Sequence, residues 1–300
     1  SAGGWRDIMI NFYLVADANK HICEVQLVHN MMMTARKGLP GHAVYNRVRN
    51  ASELFAVMSG GMAVQQPKSK KELQEWLIEY HVGKEWKKEG DTKNGDIFSR
   101  GEPNLWDVSL IEDMSGLFDK NELKEFNEDI SCWDVSNVTK MDNMFSDAKL
   151  FNQPIGRWNV SKVESMESMF WQAQRFNQPV GRWNVLNVTN MGLMFKKSKS
   201  FNQPLGSWDV SNVTRMDTMF GNAKSFNQPL NEWNVSKVTN MSGMFKEAQS
   251  FNQPVGEWNV SKVERMEDMF KDAQSFEFEQ TLSEEWKKKA AKERKSHTEW

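Results

Sequence analysis

The chain has 300 residues, and its 38 Lys and Arg against 40 Asp and Glu give a formal net charge of -2. With that balance and no apolar run of roughly 18 residues, nothing suggests nucleic acid, an acidic membrane surface or a transmembrane helix. The two cysteines, Cys23 and Cys132, lie far apart in unlike surroundings, which argues against a disulfide framework or a zinc site and slightly favours an intracellular, reducing compartment.

The N-terminal stretch of about residues 1–60 carries the pattern of a partial α/β segment. Ile8, Ile10 and Phe12 alternate with other residues as on a strand, and residues 22–28 predict a second strand that pairs with it as a hairpin. Helical spacings follow this hairpin. We therefore expect half of an α/β domain here rather than a complete one.

Three motifs in this segment resemble the C-terminal half of a RelA/SpoT-type nucleotidyltransferase domain: Gly4-Trp5-Arg6-Asp7, Glu24-Val25-Gln26-Leu27, and the run from Ala35 through Gly38 to His42. The resemblance implies that Glu24 would lie with a catalytic metal and that Trp5 would stack on a guanine base. Met9 and Arg36 stand where that family has His and Glu, and the half with the metal-binding Asp is missing from this sequence. Since one carboxylate holds Mg²⁺ poorly, we expect no catalytic residue, no metal and no cofactor.

Residues 61–105 are predicted to form a linker and a capping helix. Ser69 and Glu72 have the spacing of a capping box, and the helix that they open is expected to run to about Val82. Its apolar face would consist of Leu73, Trp76, Leu77 and Tyr80.

From about residue 106 to 276 the chain is a tandem array of 25-residue repeats. Segments such as Phe151-Asn152-Gln153-Pro154 recur at a fixed step, and a tryptophan marks the same position of seven copies, the first two of which are looser: Trp106, Trp133, Trp158, Trp183, Trp208, Trp233 and Trp258. A repeat this short cannot bury its own apolar side chains, so neighbouring repeats must stack and share one core.

Each repeat predicts one short strand, one short helix and a turn. Trp158 and Val160 flank a polar residue as on a half-buried strand, and Ser161 with Glu164 predicts the start of a helix. Apolar residues then follow at helical spacing, and Pro179 ends the pattern. Leu186, where the other repeats have Ser, predicts a frayed helix start. The tryptophans are expected to form a buried ladder, and Asn152 and its equivalents to bond backbone groups between repeats.

This repeat resembles the BspA-like leucine-rich-repeat family, whose repeats share its Phe-Asn-Gln, Trp, Val-Ser and Met-Phe positions. The resemblance implies an α/β fold, a right-handed leucine-rich-repeat-like solenoid with one strand and one helix per coil. It further implies recognition of another protein or a cell-surface component, and it allows a surface or secreted location. Residues 277–300 depart from the repeat and predict a charged C-terminal cap and tail.

Two columns of polar residues flank the tryptophans and are predicted to point away from the core. One column changes from basic to acidic along the array, and the other is uniformly short and polar. They consist of Arg157, Arg182, Ser207, Glu232 and Glu257, and of Asn159, Asn184, Asp209, Asn234 and Asn259. The preferred interpretation of both columns is a solvated face, and a surface that binds a partner is the alternative.

These features predict a non-catalytic scaffold for protein interactions. The alternative is a truncated, alarmone-synthetase-like nucleotidyltransferase with the repeat array as its regulatory or targeting arm.

Overall fold

The computed structural model of the chain describes residues 65–88, 100–277 and Trp286. The chain divides into two compact units, residues 1–65 and 66–300, and the second contains nearly all of the described residues. The predicted α/β segment at 1–60, including Trp5 and Glu24, lies outside the described residues, as does nearly all of the predicted tail at 277–300.

One α-helix precedes the repeats, α1, Lys70–Lys88. The predicted N-cap forms, since the amide of Glu72 donates to Ser69 Oγ at 3.2 Å, but the carboxylate of Glu72 accepts the amide of Lys68 at 2.8 Å instead of that of Ser69. The helix is one and a half turns longer than predicted. Its apolar face is buried as expected, through Leu73, Trp76, Leu77 and Tyr80.

Helix α1 covers the first end of the repeat array. The Trp76 and Tyr80 rings meet Trp106 edge to face, with centroids 5.6 and 6.2 Å apart. Around this contact, Lys70 Nζ lies 2.8 Å from Asp113 and Lys84 Nζ lies 2.5 Å from Glu128. The apolar face of α1 therefore closes the core that the first repeat would otherwise expose.

Successive repeats stack side by side, joined by backbone hydrogen bonds at every second residue. Between the repeats that begin at Trp158 and Trp183, the amides of Met166, Ser168, Phe170 and Gln172 each donate to the next repeat at 2.8–3.0 Å. One isolated parallel bridge per junction marks the same seam: Asp113, Lys140, Ser165, Asn190, Arg215, Asn240 and Arg265. Two short 3-10 turns, Pro103–Leu105 and Asn121–Leu123, are the other regular elements in the described part of the chain.

The seam consists of overlapping turns, not of a helix. Met169, Trp171 and Ala173 donate amides three residues back, at 3.0–3.2 Å. Ser168 and Gln172 have φ angles of +56° and +58°, and the equivalent residues of most other repeats share this left-handed conformation. Left-handed residues at intervals of four interrupt any helix, so each turn can present its amides to the neighbouring repeat.

The predicted helix and strand within each repeat are therefore corrected. Residues 161–173 contain no helix, and the parallel bridge lies at Ser165 rather than at Trp158–Val160. The inward residues were nevertheless identified correctly, because Met166, Met169 and Phe170 are fully buried. Leu186 shows no frayed start; its amide donates to Asn184 Oδ1 at 3.2 Å, as the serine of other repeats does.

The core is a set of stacked aromatic columns. The tryptophan rings of adjacent repeats lie nearly parallel, with centroids 6.4 Å apart for Trp208 and Trp233. The indoles from Trp133 to Trp258 also donate to a main-chain carbonyl 28 or 30 residues earlier, as Trp208 does to Val180 at 3.1 Å. Phenylalanines form two further columns, and Phe195 and Phe201 stack with centroids 3.9 Å apart. The predicted buried tryptophan ladder is confirmed.

A second ladder runs along the asparagine turns. The amide of Asn202 donates to Asn177 Oδ1 at 2.9 Å, and the amide of Asn227 donates to Asn202 Oδ1 at the same distance. The glutamine that follows each asparagine donates to the backbone of the previous turn, as Gln203 does to the Asn177 carbonyl at 3.0 Å. The predicted structural role of this asparagine column is confirmed, so it is not free to hold a ligand.

Candidate functional surface

The column that changes sign along the array forms a ridge at one corner of the repeats. We call Arg157, Arg182, Ser207, Glu232 and Glu257 the charged ridge; all five are exposed. Each occupies a tight turn that is closed by the amide of the following tryptophan, as Trp158 donates to the Ile155 carbonyl at 3.1 Å. The ridge thus lies at a turn and not on the strand that the sequence predicted.

Glycine makes this turn possible in the basic half of the ridge. A Cβ on Gly156 would stand 2.1 Å from the carbonyl oxygen of Pro179, and one on Gly181 would stand 2.5 Å from that of Pro204. The missing side chain lets the next repeat pack directly against the turn. The backbone of this turn therefore fixes the position of the exposed arginine that follows each glycine.

The ridge charges are largely unengaged within the described part of the chain. Arg157, Arg182 and Glu257 form no ion pair there, while Glu232 accepts from Asn231 Nδ2 at 2.6 Å. Ser207, at the midpoint, donates to the Gly181 carbonyl at 2.8 Å. Solvated charges on fixed turns can be paired with a partner at small structural cost.

The side chains of the neighbouring polar column are exposed, but they also stabilise local turns. Asn159, Asn184, Asp209, Asn234 and Asn259 are all exposed, and each accepts the amide two residues further on. For Asp209 the hydroxyl of Ser211 and its amide, at 3.0 Å, both donate to the carboxylate and hold its pKa below the usual value. Local turn chemistry therefore explains this column without a ligand.

An aromatic residue that sequence reasoning missed lies on a different side of the repeats. Trp171 is half-buried and points outward, and Lys197 Nζ lies 5.9 Å from its ring centroid. The equivalent residues of other repeats are Ser146, Lys196 and Gly221. A tryptophan among these residues was the sequence signal for an unusual side chain at this position.

Two sequence expectations concern metals and membranes. Within residues 65–88 and 100–277, no group of three His, Cys, Asp or Glu side chains is placed to hold a metal ion. No helix among the described residues is both long and apolar enough to cross a membrane. Cys132 is disulfide-bonded, which corrects the expectation drawn from the cysteine spacing.

The stacking of one 25-residue template, bridged at every junction, defines a tandem-repeat protein. Two stretches, residues 91–206 and 194–297, match the family described as "Mycoplasma protein of unknown function, DUF285". Together these matches span more than two thirds of the chain, so the chain belongs to this family. No curated protein and no solved structure gives a significant match.

Proposed function

We propose that this protein is a non-catalytic scaffold for protein interactions and that its charged ridge is the binding surface. The observation that carries the proposal is the ridge itself: one exposed residue per repeat, on a rigid turn, with charge passing from basic to acidic. An irregular surface would not give a partner such an ordered row of contacts.

The step of the ridge suits an extended chain. Stacked tryptophans behind the ridge repeat at 6.3–6.5 Å. Alternate side chains of an extended strand are separated by roughly 6.6–6.8 Å, so one partner side chain can face each repeat. Acidic residues would lie opposite Arg157 and Arg182, and basic residues opposite Glu232 and Glu257. This order of charges fixes the direction of the partner.

The proposal extends to the architecture. We infer that the stacked array is a solenoid related to the BspA-like leucine-rich repeats, in which overlapping turns replace the expected helix. A solenoid of this kind presents long, regular surfaces, and this supports binding rather than chemistry.

The test compares two baits in an affinity capture from cell extract: the wild type and the double variant Arg157→Glu/Arg182→Glu. We expect a protein that the wild type retains to be lost from the variant. Lys199→Glu/Lys224→Glu changes the same charge at exposed positions away from the ridge, and should leave capture unchanged. Equal recovery on all three baits would rule the ridge out.

The nucleotidyltransferase alternative depends on Trp5 and Glu24, which lie outside the described residues. It is tested separately by thermal shift with GTP or ATP and Mg²⁺. Under the scaffold proposal neither nucleotide should raise the unfolding temperature, whereas specific binding would raise it.

A further inference from the structure

The charged ridge is complementary to itself when it is reversed. Two basic residues precede a neutral serine, and two acidic residues follow it, all at the same position of five consecutive repeats. Turning a second copy end for end about Ser207 places Arg157 opposite Glu257 and Arg182 opposite Glu232. Because the contact is symmetric, each of these pairs forms twice.

We propose that the partner of the charged ridge is the same ridge on a second copy of this chain, antiparallel about a two-fold axis at Ser207. This inference rests on the proposed binding role of the ridge and names its partner. The order of charges alone defines the chemistry of the partner: two cations, one small neutral residue and two anions.

The repeat step also fits a second copy. Behind the ridge the stacked indoles have centroids 6.4 Å apart between Trp208 and Trp233 and 6.3 Å apart between Trp233 and Trp258. A second array has the same step at every repeat, so all four ion pairs can form without adjustment.

The surroundings of the ridge leave its charge pattern intact. On one side lies a row of exposed prolines, and on the other lies the row of side chains from Asn159 to Asn259, in which Asp209 is the single charge. Neither row opposes the change from basic to acidic. Ser207 places no bulky or charged group on the axis, so the two turns can approach closely.

The decisive experiment exchanges charges in the full chain and measures mass by sedimentation equilibrium. The wild type should dimerise, and the dimer should weaken as salt is raised, because exposed charge pairs are screened. Arg157→Glu/Arg182→Glu creates an all-acidic ridge, and Glu232→Arg/Glu257→Arg creates an all-basic one. Each variant alone should raise the dimer dissociation constant at least tenfold, while an equimolar mixture should dimerise like the wild type or better.

Lys199→Glu/Lys224→Glu serves as the control and should dimerise like the wild type. A monomeric wild type would overturn the proposal. So would a dimer that either ridge variant leaves intact, or a mixture that fails to restore association. If only self-association fails while the Arg157→Glu/Arg182→Glu bait still loses a captured protein, the ridge binds another protein and the proposed function stands.

A second measurement does not depend on the charge variants. Ser207→Cys should form an intermolecular disulfide under mild oxidation, since the two copies of this residue meet at the axis. Ser225→Cys, which is exposed and lies seven residues before the ridge residue Glu232, should cross-link much more slowly. Equal rates for the two cysteines would contradict the antiparallel arrangement.

Discussion

The indoles show how one residue type can satisfy both the core and the backbone. Trp208 is 3% exposed, stacks on Trp233, and donates its indole N–H to Val180. Removing the ring would leave a cavity shared by two junctions and an unpaired buried carbonyl. The ladder is therefore sensitive at every one of its steps.

Trp208→Ala should cost about 3–5 kcal/mol of unfolding free energy, because a large buried side chain is lost without collapse of its surroundings. Urea unfolding followed by circular dichroism measures this cost. Trp171→Ala removes the same side chain from an outward, half-buried position and should cost much less. Equal losses for the two variants would show that the ladder is not the source of stability.

The seam also depends on single residues that adopt the left-handed backbone conformation. Thr218 has a φ angle of +53°, although β-branched residues disfavour this conformation, whereas the equivalent Gly116 and Gly243 adopt it freely. The stacked repeats thus hold Thr218 in a conformation that its side chain resists.

Thr218→Gly should stabilise the chain by about 1 kcal/mol, since relief of the left-handed penalty exceeds the added entropy of an unfolded glycine. Thermal and urea unfolding provide the readout. The same change at Thr189, which has no positive φ, should destabilise instead. A loss of stability in Thr218→Gly would mean that the Thr218 side chain is needed for packing.

At the scale of elements, the attachment of α1 combines apolar packing with charge. Asp113 lies against Lys70 and accepts the amide of Ser115 at 2.7 Å. Partial burial tends to raise the pKa of Asp113, but the hydrogen bonds from Lys70 and Ser115 outweigh it and the pKa lies below its usual value. The ionised carboxylate therefore stabilises the contact between helix and array.

This contact should weaken in acid. Because the folded pKa of Asp113 is lower than its unfolded pKa of about 3.9, its contribution is present above that pH and disappears as the pH falls through the folded value. Asp113→Asn should therefore be less stable than the wild type at pH 6, and the two should converge near pH 2. Asp119→Asn, at an exposed position, should show no such convergence in urea midpoints.

At the scale of the whole molecule, the array behaves as a one-dimensional stack in which each repeat contacts its neighbours. Backbone donors, stacked rings and asparagine side chains all connect residue i to a residue about 25 positions away. The length of the array is therefore free to change, whereas the length of a repeat is not.

Deleting residues 183–207 removes one full repeat and joins Arg182 to Trp208, so the 25-residue spacing of the remaining repeats is unchanged. We expect this variant to fold cooperatively, with a slightly smaller dependence of stability on urea because less surface is buried. Deleting residues 183–202 shifts every inward position by five residues and should abolish cooperative unfolding. Near-UV circular dichroism separates the two outcomes; a folded 20-residue deletion would contradict a fixed repeat step.

Periodicity in the sequence was sufficient to identify the repeats, the buried residues and the two polar columns that flank the tryptophans. Trp158, Met166 and Phe170 recur every 25 residues, and only a shared core can accept so many apolar side chains at matched heights. The backbone conformation could not be obtained in this way. Overlapping turns and a short helix place inward residues at the same spacing, so Ser161 and Glu164 suggested a helix that does not form.

Contacts between repeats resolve that ambiguity. Once Met166 and Phe170 can donate their amides to the next repeat, left-handed turns satisfy more of the backbone than one isolated helical turn could. The same contacts place Arg157 at a corner and turn Trp171 outward, neither of which follows from local sequence. Composition and spacing thus fixed which residues lie inside, while stacking fixed the path of the chain between them, because the donors and acceptors that decide the path belong to different repeats.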